Sequence, residues 1–563
     1  MKNTFKFIMA MVLAGSTLFY SCETNDLELI DNPNSLTPDQ ADPDLLLNAV
    51  QLGYLSNMST FNGSASALTR LNVFFSRDYF AGITGNTLDA NWSRTYSTAN
   101  ADTRGMIPNA AAIEDLNALR GDGSLNFQEG VSKALIAHNL MLLVDFVGDI
   151  PFSEINNPDE FPAPNVDPGA SVYAGALAML DDAEGLLAGT TGADLFYGGD
   201  SALWIRFINT VRMKAALTTG DLATFTALES AGNFIDSNDS DFQFNYGSND
   251  VNPDERHPDY VNDYTTAGAN IYQSNWLMNY MLNNDDPRRF YYFYRQSECT
   301  PGASCNPNPT GEAVTQLQCS IQAPPVHLSS AGFGDIFCFL EDGYWGRPHG
   351  DDSGVGPDNF NRTAVGVYPA AGLYDDSAFG AVGLDLGGGG AGIEPIILAS
   401  YVDFMRAEVA LTNGDAAGAA GFIQAGLEKS LEKVLAFDEL DTSRDSSMDV
   451  DDATADAYVA AVVAEFMAAA PGPDQWNILA EQNWVAQYGG GAETYNFYRR
   501  TGFPTTLPPN LEPNPGSFVR SYPYANGEVI ANPNISQKAD QSVQVFWDNN
   551  PPSAVTGGFP ASN

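Results

Sequence analysis

Apolar positions recur at helical spacing in separate stretches of the chain. Asp42-Pro43 is a cap followed by a first-turn proline, opening a helix through Leu45, Leu46, Ala49, Val50 and Tyr54. Residues 133–147 give another, with Leu135, Leu140, Leu142, Leu143 and Phe146, and Ser171 to Leu187 a third. Trp204 to Leu217 carries Ile205, Phe207, Ile208, Val211 and Met213 on one pattern. The C-terminal half predicts helices over Ile396–Leu411, Ala417–Leu435, Ala453–Ala470 and Asp474–Tyr488. Thr412-Asn413-Gly414-Asp415 and Pro471-Gly472-Pro473 are the turns between neighbours. The expectation is a mainly α fold, a frame of helical hairpins like tetratricopeptide units, although their regular period is absent. Between the helical groups, 230–395 is rich in Gly, Asn, Asp, Pro and aromatics and has no sustained periodicity, so long irregular loops are expected there. The Pro- and Asn-rich stretch 500–563 should wrap the surface in extended form. No clean linker interrupts 42–563, which is predicted as one domain.

The first 22 residues have a different pattern. Lys2 and Lys6 form a positive end, an apolar stretch runs from Phe7 to Tyr20, and Ser21-Cys22 closes it. This is too short for a membrane span and is flanked like a secretory signal. Residues 1–21 are expected to be removed, leaving Cys22 as the acylated first residue; ordinary cleavage with Cys22 a bystander thiol is the alternative. Glu23, Asp26, Glu28 and Asp31 follow, and the polar segment 22–41 is expected to be a lipidated acidic tether. The acidic run resembles the surface-export signal of Bacteroidota lipoproteins. No later apolar run reads as a spanning segment, so membrane contact is expected through the lipid alone.

Charge narrows the partners. The 563 residues carry a formal charge of −45, which argues against nucleic acid and against docking on anionic lipid. The 24 Tyr and 33 Phe argue against an acidic disordered polymer. Beyond Cys22, the cysteines are Cys299, Cys305, Cys319 and Cys338, all in one loop-like stretch. An even number in an exported chain suggests two disulfides, and the C-x-x-C pairs of zinc sites are missing. Four cysteines allow three pairings, and the sequence does not choose among them.

No catalytic constellation is visible. The histidines 138, 257, 327 and 349 form no metal-binding spacing; His138 sits in an apolar helix, as a core histidine would. Gly387, Gly389 and Gly392 match G-x-G-x-x-G, but no apolar strand precedes them, and a loop is expected. The acidic clusters at 236–241 and 449–452 lack the glycine and final glutamate of a calcium loop. No cofactor and no metal are expected. Loop aromatics are the best binding signal, because sugars offer flat apolar faces ringed by hydroxyls. The candidate ligand-binding residues are Trp345, Tyr344, Trp92, Tyr79, Tyr272 and His349, with Trp345 foremost because glycines and polar residues surround it.

An ordered set of segments resembles the SusD/RagB-type lipoproteins, the nutrient-binding subunits of Bacteroidota uptake systems. Gly148 to Glu154 reads G-D-I-P-F-S-E, Trp204 to Lys214 reads W-I-R-F-I-N-T-V-R-M-K, and Asp286-Pro287-Arg288 follows. Glu408 lies in an alanine- and glutamate-bearing helix, and Glu493 to Pro504 reads E-T-Y-N-F-Y-R-R-T-G-F-P, followed by Arg520 to Tyr524, Glu528 and Asn532. Tyr344 to Asp351, Y-W-G-R-P-H-G-D, resembles one branch of the family rather than the starch-binding type. These signature residues are expected to hold the frame: Asp149 by accepting backbone hydrogens, and Arg206, Arg212, Lys214, Arg499 and Arg500 through ion pairs. The resemblance implies a SusD-like fold, an outer-membrane protein facing the cell exterior, and a SusC-like TonB-dependent transporter as partner. The expected function is binding an oligosaccharide or polysaccharide and delivering it, without catalysis. Peptide or another nutrient as ligand, and a surface glycan-active enzyme, are the alternatives.

Overall fold

The computed structural model describes residues 41–98, 105–157, 160–298, 319, 322–354, 356, 358–553 and 559–560. The signal segment, Cys22, nearly all of the tether, Cys299 and Cys305 lie outside them.

Among the described residues there are eighteen α-helical segments and four short strands. Much of the chain's acidity serves to start helices. Asp42, Asp200, Asp221, Asp415 and Asp451 each accept backbone N–H groups at the head of a helix, satisfying donors that the helix leaves over. The helix Asn126–Val147 is the centre of the molecule. It is long and apolar enough to cross a membrane, contrary to the expectation that no such run exists, but its apolar window is 94 % buried inside the protein. It packs as a hairpin with Gly169–Leu187. Ser201–Thr219 pairs with Leu222–Ala231, and Ala399–Thr412 with Ala416–Leu435, which also meets Asp452–Ala468. The largest apolar core runs from Leu47 to Trp547 and joins the N-terminal helices to the last stretch of chain. A second core lies among the C-terminal hairpins.

Two boundaries differ from the sequence expectation. The first helix continues to Leu68, because Asn57, Asn62 and Ser66 are buried against tertiary partners instead of ending it. The expected helix from Ile396 begins at Ala399; Ile393–Ile397 is a strand, antiparallel to Phe242–Asn245 with Phe242 opposite Ile397. Pro395 pushes Glu394 before it into extended backbone, and Ile393, Ile396 and Ile397 are β-branched, both of which favour the strand. The loop-rich region also holds short helices, at Pro258–Asp263, Asn275–Asn283, Arg289–Tyr292 and Val326–Ser330.

The signature side chains are frame elements. Asp149 accepts from Gly169 N–H at 2.8 Å. Arg212 reaches Asp181 and Glu184, each at 2.6 Å, and Arg206 pairs with Asp236. Lys214 pairs with Glu493 at 2.8 Å and donates to His138 Nε2 at 3.2 Å, while Tyr54 Oη lies 2.7 Å from Nδ1. Burial, then the Lys214 charge, holds His138 well below its ordinary pKa. Arg500 grips Glu408 at 2.8 and 3.0 Å. Arg499 differs from expectation: it has no carboxylate partner among the described residues, but stacks 3.8 Å from the Tyr495 ring centre and donates to Arg520 O.

Candidate functional site

The structure separates the six predicted ligand-binding residues. Five of them lie in an internal strut built around Tyr344–Asp351. Trp345 is 0 % exposed, packed with Leu328, Phe337 and the Cys319–Cys338 disulfide. Its N–H donates to Thr363 Oγ1 and its carbonyl accepts from Thr363 N–H. Tyr344 is buried beneath the Arg295 guanidinium, 5.0 Å away, and burial pushes its hydroxyl up to about 12. Tyr272 is clamped between Arg347, 4.3 Å from its centre, and Arg362, at 3.9 Å. Its hydroxyl donates to Asp358 at 2.7 Å and accepts from Arg347 at 3.0 Å. His349 stacks on Phe74 and its Nε2 meets Tyr79 Oη at 3.0 Å; both side chains are buried, and burial with the Arg70 charge keeps His349 neutral. In this conformation these rings have no free face to offer a sugar. The reason lies in the backbone as much as the side chains. Gly350 N–H bonds Phe74 O, Leu511 N–H bonds His349 O, and Arg347 exchanges bonds with Gln273 and Asn275, so the motif ties three distant loops together. The exposed aromatic on this side is Phe75, 57 % exposed, which sequence reasoning did not select.

Trp92 is elsewhere. It lines a cleft of about 590 Å³ made by three segments: the helix Asp89–Tyr96, the loop residues Pro151, Ile155, Phe161, Pro162 and Pro164, and the short helix Asn526–Ala531. The first wall is fixed from behind by a buried amide ladder. Asn57 Nδ2 donates to Asn139 Oδ1 at 2.9 Å and to Thr95 Oγ1 at 3.2 Å, and Asn139 donates to Thr95 at 3.0 Å. That ladder holds Asn91 and Thr95 of the helix inward. Trp92, 5 % exposed, stands 5.1 Å from the Tyr96 ring and 6.2 Å, edge-on, from Tyr524. The second wall follows from Asp167, which accepts from Phe152 N–H, Ser153 N–H and the Ser153 hydroxyl. Tyr96 joins these walls by donating to Pro151 O at 2.9 Å. Burial, then Glu528 and Asp167, pushes the Tyr96 hydroxyl well up, so it stays protonated. The third wall is stitched to both others: Gly527 N–H donates to Asp89 Oδ1 at 3.1 Å, and Asn532 Nδ2 to Pro164 O at 2.9 Å and Glu528 Oε1 at 2.8 Å.

This leaves one oxygen of Asp89 and one of Glu528 without a hydrogen-bond partner among the described residues, beside an aromatic wall. Carboxylate oxygens accept sugar hydroxyls, and rings such as Trp92 and Tyr96 cover sugar C–H faces. Glu528 and Asn532 were expected only as frame; they also line the cleft. Asp89 and Tyr96 carry no sequence signal that sets them apart. Among the described residues no group of three or more His, Cys, Asp or Glu could hold a metal ion.

Two family models match. Residues 33–322 match the model described as starch-binding associating with outer membrane, and residues 394–546 the model described as SusD and RagB outer membrane lipoprotein. The fold is similar to that of a SusD/RagB family protein from Bacteroides thetaiotaomicron, with TM-score 0.63 and 17 % identity over 90 % of this chain and 99 % of that one. A SusD-like protein of Bacteroidetes AC2a gives 0.61 and 18 %, over 90 % and 100 %. A chitin-binding SusD homologue from Flavobacterium johnsoniae gives 0.53 and 17 %, over 89 % and 99 %. No curated protein sequence matches the chain.

Proposed function

Because the chain belongs to the SusD/RagB family of outer-membrane lipoproteins, we propose that it captures an oligosaccharide outside the cell and delivers it to a SusC-like TonB-dependent transporter. The single observation that carries the ligand class is the cleft, where Trp92 and Tyr96 stand beside oxygens of Asp89 and Glu528 that have no partner among the described residues. An aromatic face and hydroxyl acceptors are what a sugar needs, and rigid walls lower the ordering cost of binding. The role is binding and hand-over, without bond breaking. Acylated Cys22 would tether the protein through the 22–41 segment, so Cys22→Ala should move it from membranes to soluble fractions.

The test is calorimetry of the mature protein against a panel of soluble polysaccharides, beside a peptide library. At least one glycan should bind, and Trp92→Ala should weaken it by roughly 1–3 kcal/mol, the scale of a buried aromatic contact. Binding of oligopeptides with no glycan bound would overturn the ligand class. Turnover of any glycan by purified protein would overturn the binding role.

A further inference from the structure

We propose that the cleft selects uncharged glycans and rejects polyanionic ones such as polyuronates and sulfated galactans; this rests on the glycan reading above. Among the described lining residues, the carboxylates are Asp89 and Glu528, and neither Lys nor Arg is present. Each carboxylate spends one oxygen on the protein, Asp89 on Gly527 N–H and Glu528 on Asn532 Nδ2. The other oxygen is left to accept. A neutral sugar hydroxyl can donate its proton there. A uronate carboxylate or a sulfate has no proton to give, and would stand near two like charges in a half-enclosed site, where the dielectric is lower than in water.

Other proteins that bind acidic ligands supply Arg or Lys for the purpose, since a planar or point cation must replace the lost hydration. Here many of the frame's cations are committed, although Arg94 on the Asp89–Tyr96 helix and Arg499 are in no ion pair among the described residues. Arg206, Arg212, Lys214, Arg347, Arg362 and Arg500 are each paired with a carboxylate. The formal charge of −45 adds a repulsion of longer range, screened within about 8 Å at physiological salt. Selection therefore has two parts, a local one set by two residues and a diffuse one set by the whole surface, and salt separates them.

The experiment compares neutral gluco-, manno-, galacto- and xylo-oligosaccharides with oligogalacturonate, oligomannuronate and sulfated galactan fragments of matched length, by calorimetry at low and high salt. The expected result is at least one neutral ligand bound tenfold or more tightly than every anionic one, with the gap persisting in high salt. The double variant Asp89→Asn/Glu528→Gln should narrow the gap by tenfold or more while its thermal midpoint stays near the parent's. An anionic glycan bound as tightly as any neutral one, with affinity lost in Trp92→Ala, overturns the selectivity and leaves the glycan reading standing. A gap that survives the double variant unchanged also overturns it. Peptide binding with no glycan of either charge bound overturns the reading beneath it and the selectivity together.

Discussion

Around Trp345, charged groups close to the aromatic rings are matched with opposite charges. Arg347 holds Asp351 and Arg362 holds Asp358, each at 2.6 Å, with Tyr272 pressed between the two guanidinium planes. Around Trp92 the same residue types are used differently: among the described residues Asp89 and Glu528 have no ion-pair partner, and amide and backbone groups take only one oxygen of each. The first arrangement removes charge from water and must satisfy it internally, because an unpaired buried ion costs several kcal/mol. The second leaves charge at an opening where a ligand or water can complete it. An aromatic ring in a glycine-rich loop is thus a poor indicator of a binding face. The state of the neighbouring charges is the better one.

The largest effect should come from removing the sealed ring. Trp345→Ala would leave a cavity against Leu328, Phe337 and the disulfide, at a cost of about 3–5 kcal/mol of folding stability. Denaturant unfolding measures it. A loss below about 1 kcal/mol would mean that the strut does not depend on this ring and that the contrast with Trp92 is false.

A third kind of carboxyl sharpens the contrast. Glu394 is buried, lines only a small cavity of about 130 Å³, and has no ion-pair partner among the described residues; its donor is Asn62 Nδ2, at 2.7 Å. Burial, only partly offset by Asn62 and reinforced by Asp259, raises its pKa from 4.5 to about 8. The folded protein therefore holds this proton where the unfolded chain has released it. Stability should fall as pH rises from about 4.5 to about 8 and then level off, with a slope approaching 1.4 kcal/mol per unit from this group. Glu394→Gln, which keeps a neutral donor and acceptor, should flatten that part of the profile. A profile unchanged by the substitution would show that Glu394 is ionised in the fold, and paired in some other way.

The disulfide ranks next. Cys319 and Cys338 are 19 residues apart, and closing a loop of that size stabilises by about 3 kcal/mol in the chain-entropy picture. The double variant Cys319→Ser/Cys338→Ser should lose about that much, with glycan affinity retained because the Trp92 cleft draws no wall from this region. Lost affinity at retained stability would place the ligand on the strut side instead.

Much of the frame was legible because hairpin helices bury one stripe. Ser171 to Leu187 and Ala417 to Leu435 were expected within two residues of where the helices lie. The first helix was expected only as far as Tyr54, since Asn57, Asn62 and Ser66 interrupt its stripe, and only the folded protein supplies Asn139, Glu394 and Gly490 to satisfy them. Trp92 was legible as a candidate residue, but the cleft it lines was not. Asp89 and Gly527 meet across 438 positions, a contact that local patterns do not contain. Trp345 was misplaced for the opposite reason. Glycine and polar neighbours suggested exposure, yet Gly346 is there because a side chain would collide with Gln273 O, 2.2 Å from where its Cβ would be. The Arg347/Asp351 and Asp358/Arg362 spacings of four residues were the available sign that this loop pairs its charges internally.

The smallest effect separates the two tryptophans most cleanly. Replacing either by Phe keeps an apolar ring and removes part of the indole. Trp92 lines the cleft, so Trp92→Phe should weaken glycan binding by about 0.5–1.5 kcal/mol, the value of an aromatic contact beyond simple burial. Its thermal midpoint should move little, because Phe can still meet Tyr524 and the amide ladder behind the helix is untouched. At position 345 the same change acts only on packing: midpoint falls and affinity holds. Both quantities are read on both variants, by calorimetry and thermal melting. If affinity falls for Trp345→Phe and holds for Trp92→Phe, the assignment of the open and sealed regions is reversed. The ligand face then belongs beside Phe75 and Tyr272, whose rings lie 6.5 Å apart on the strut side.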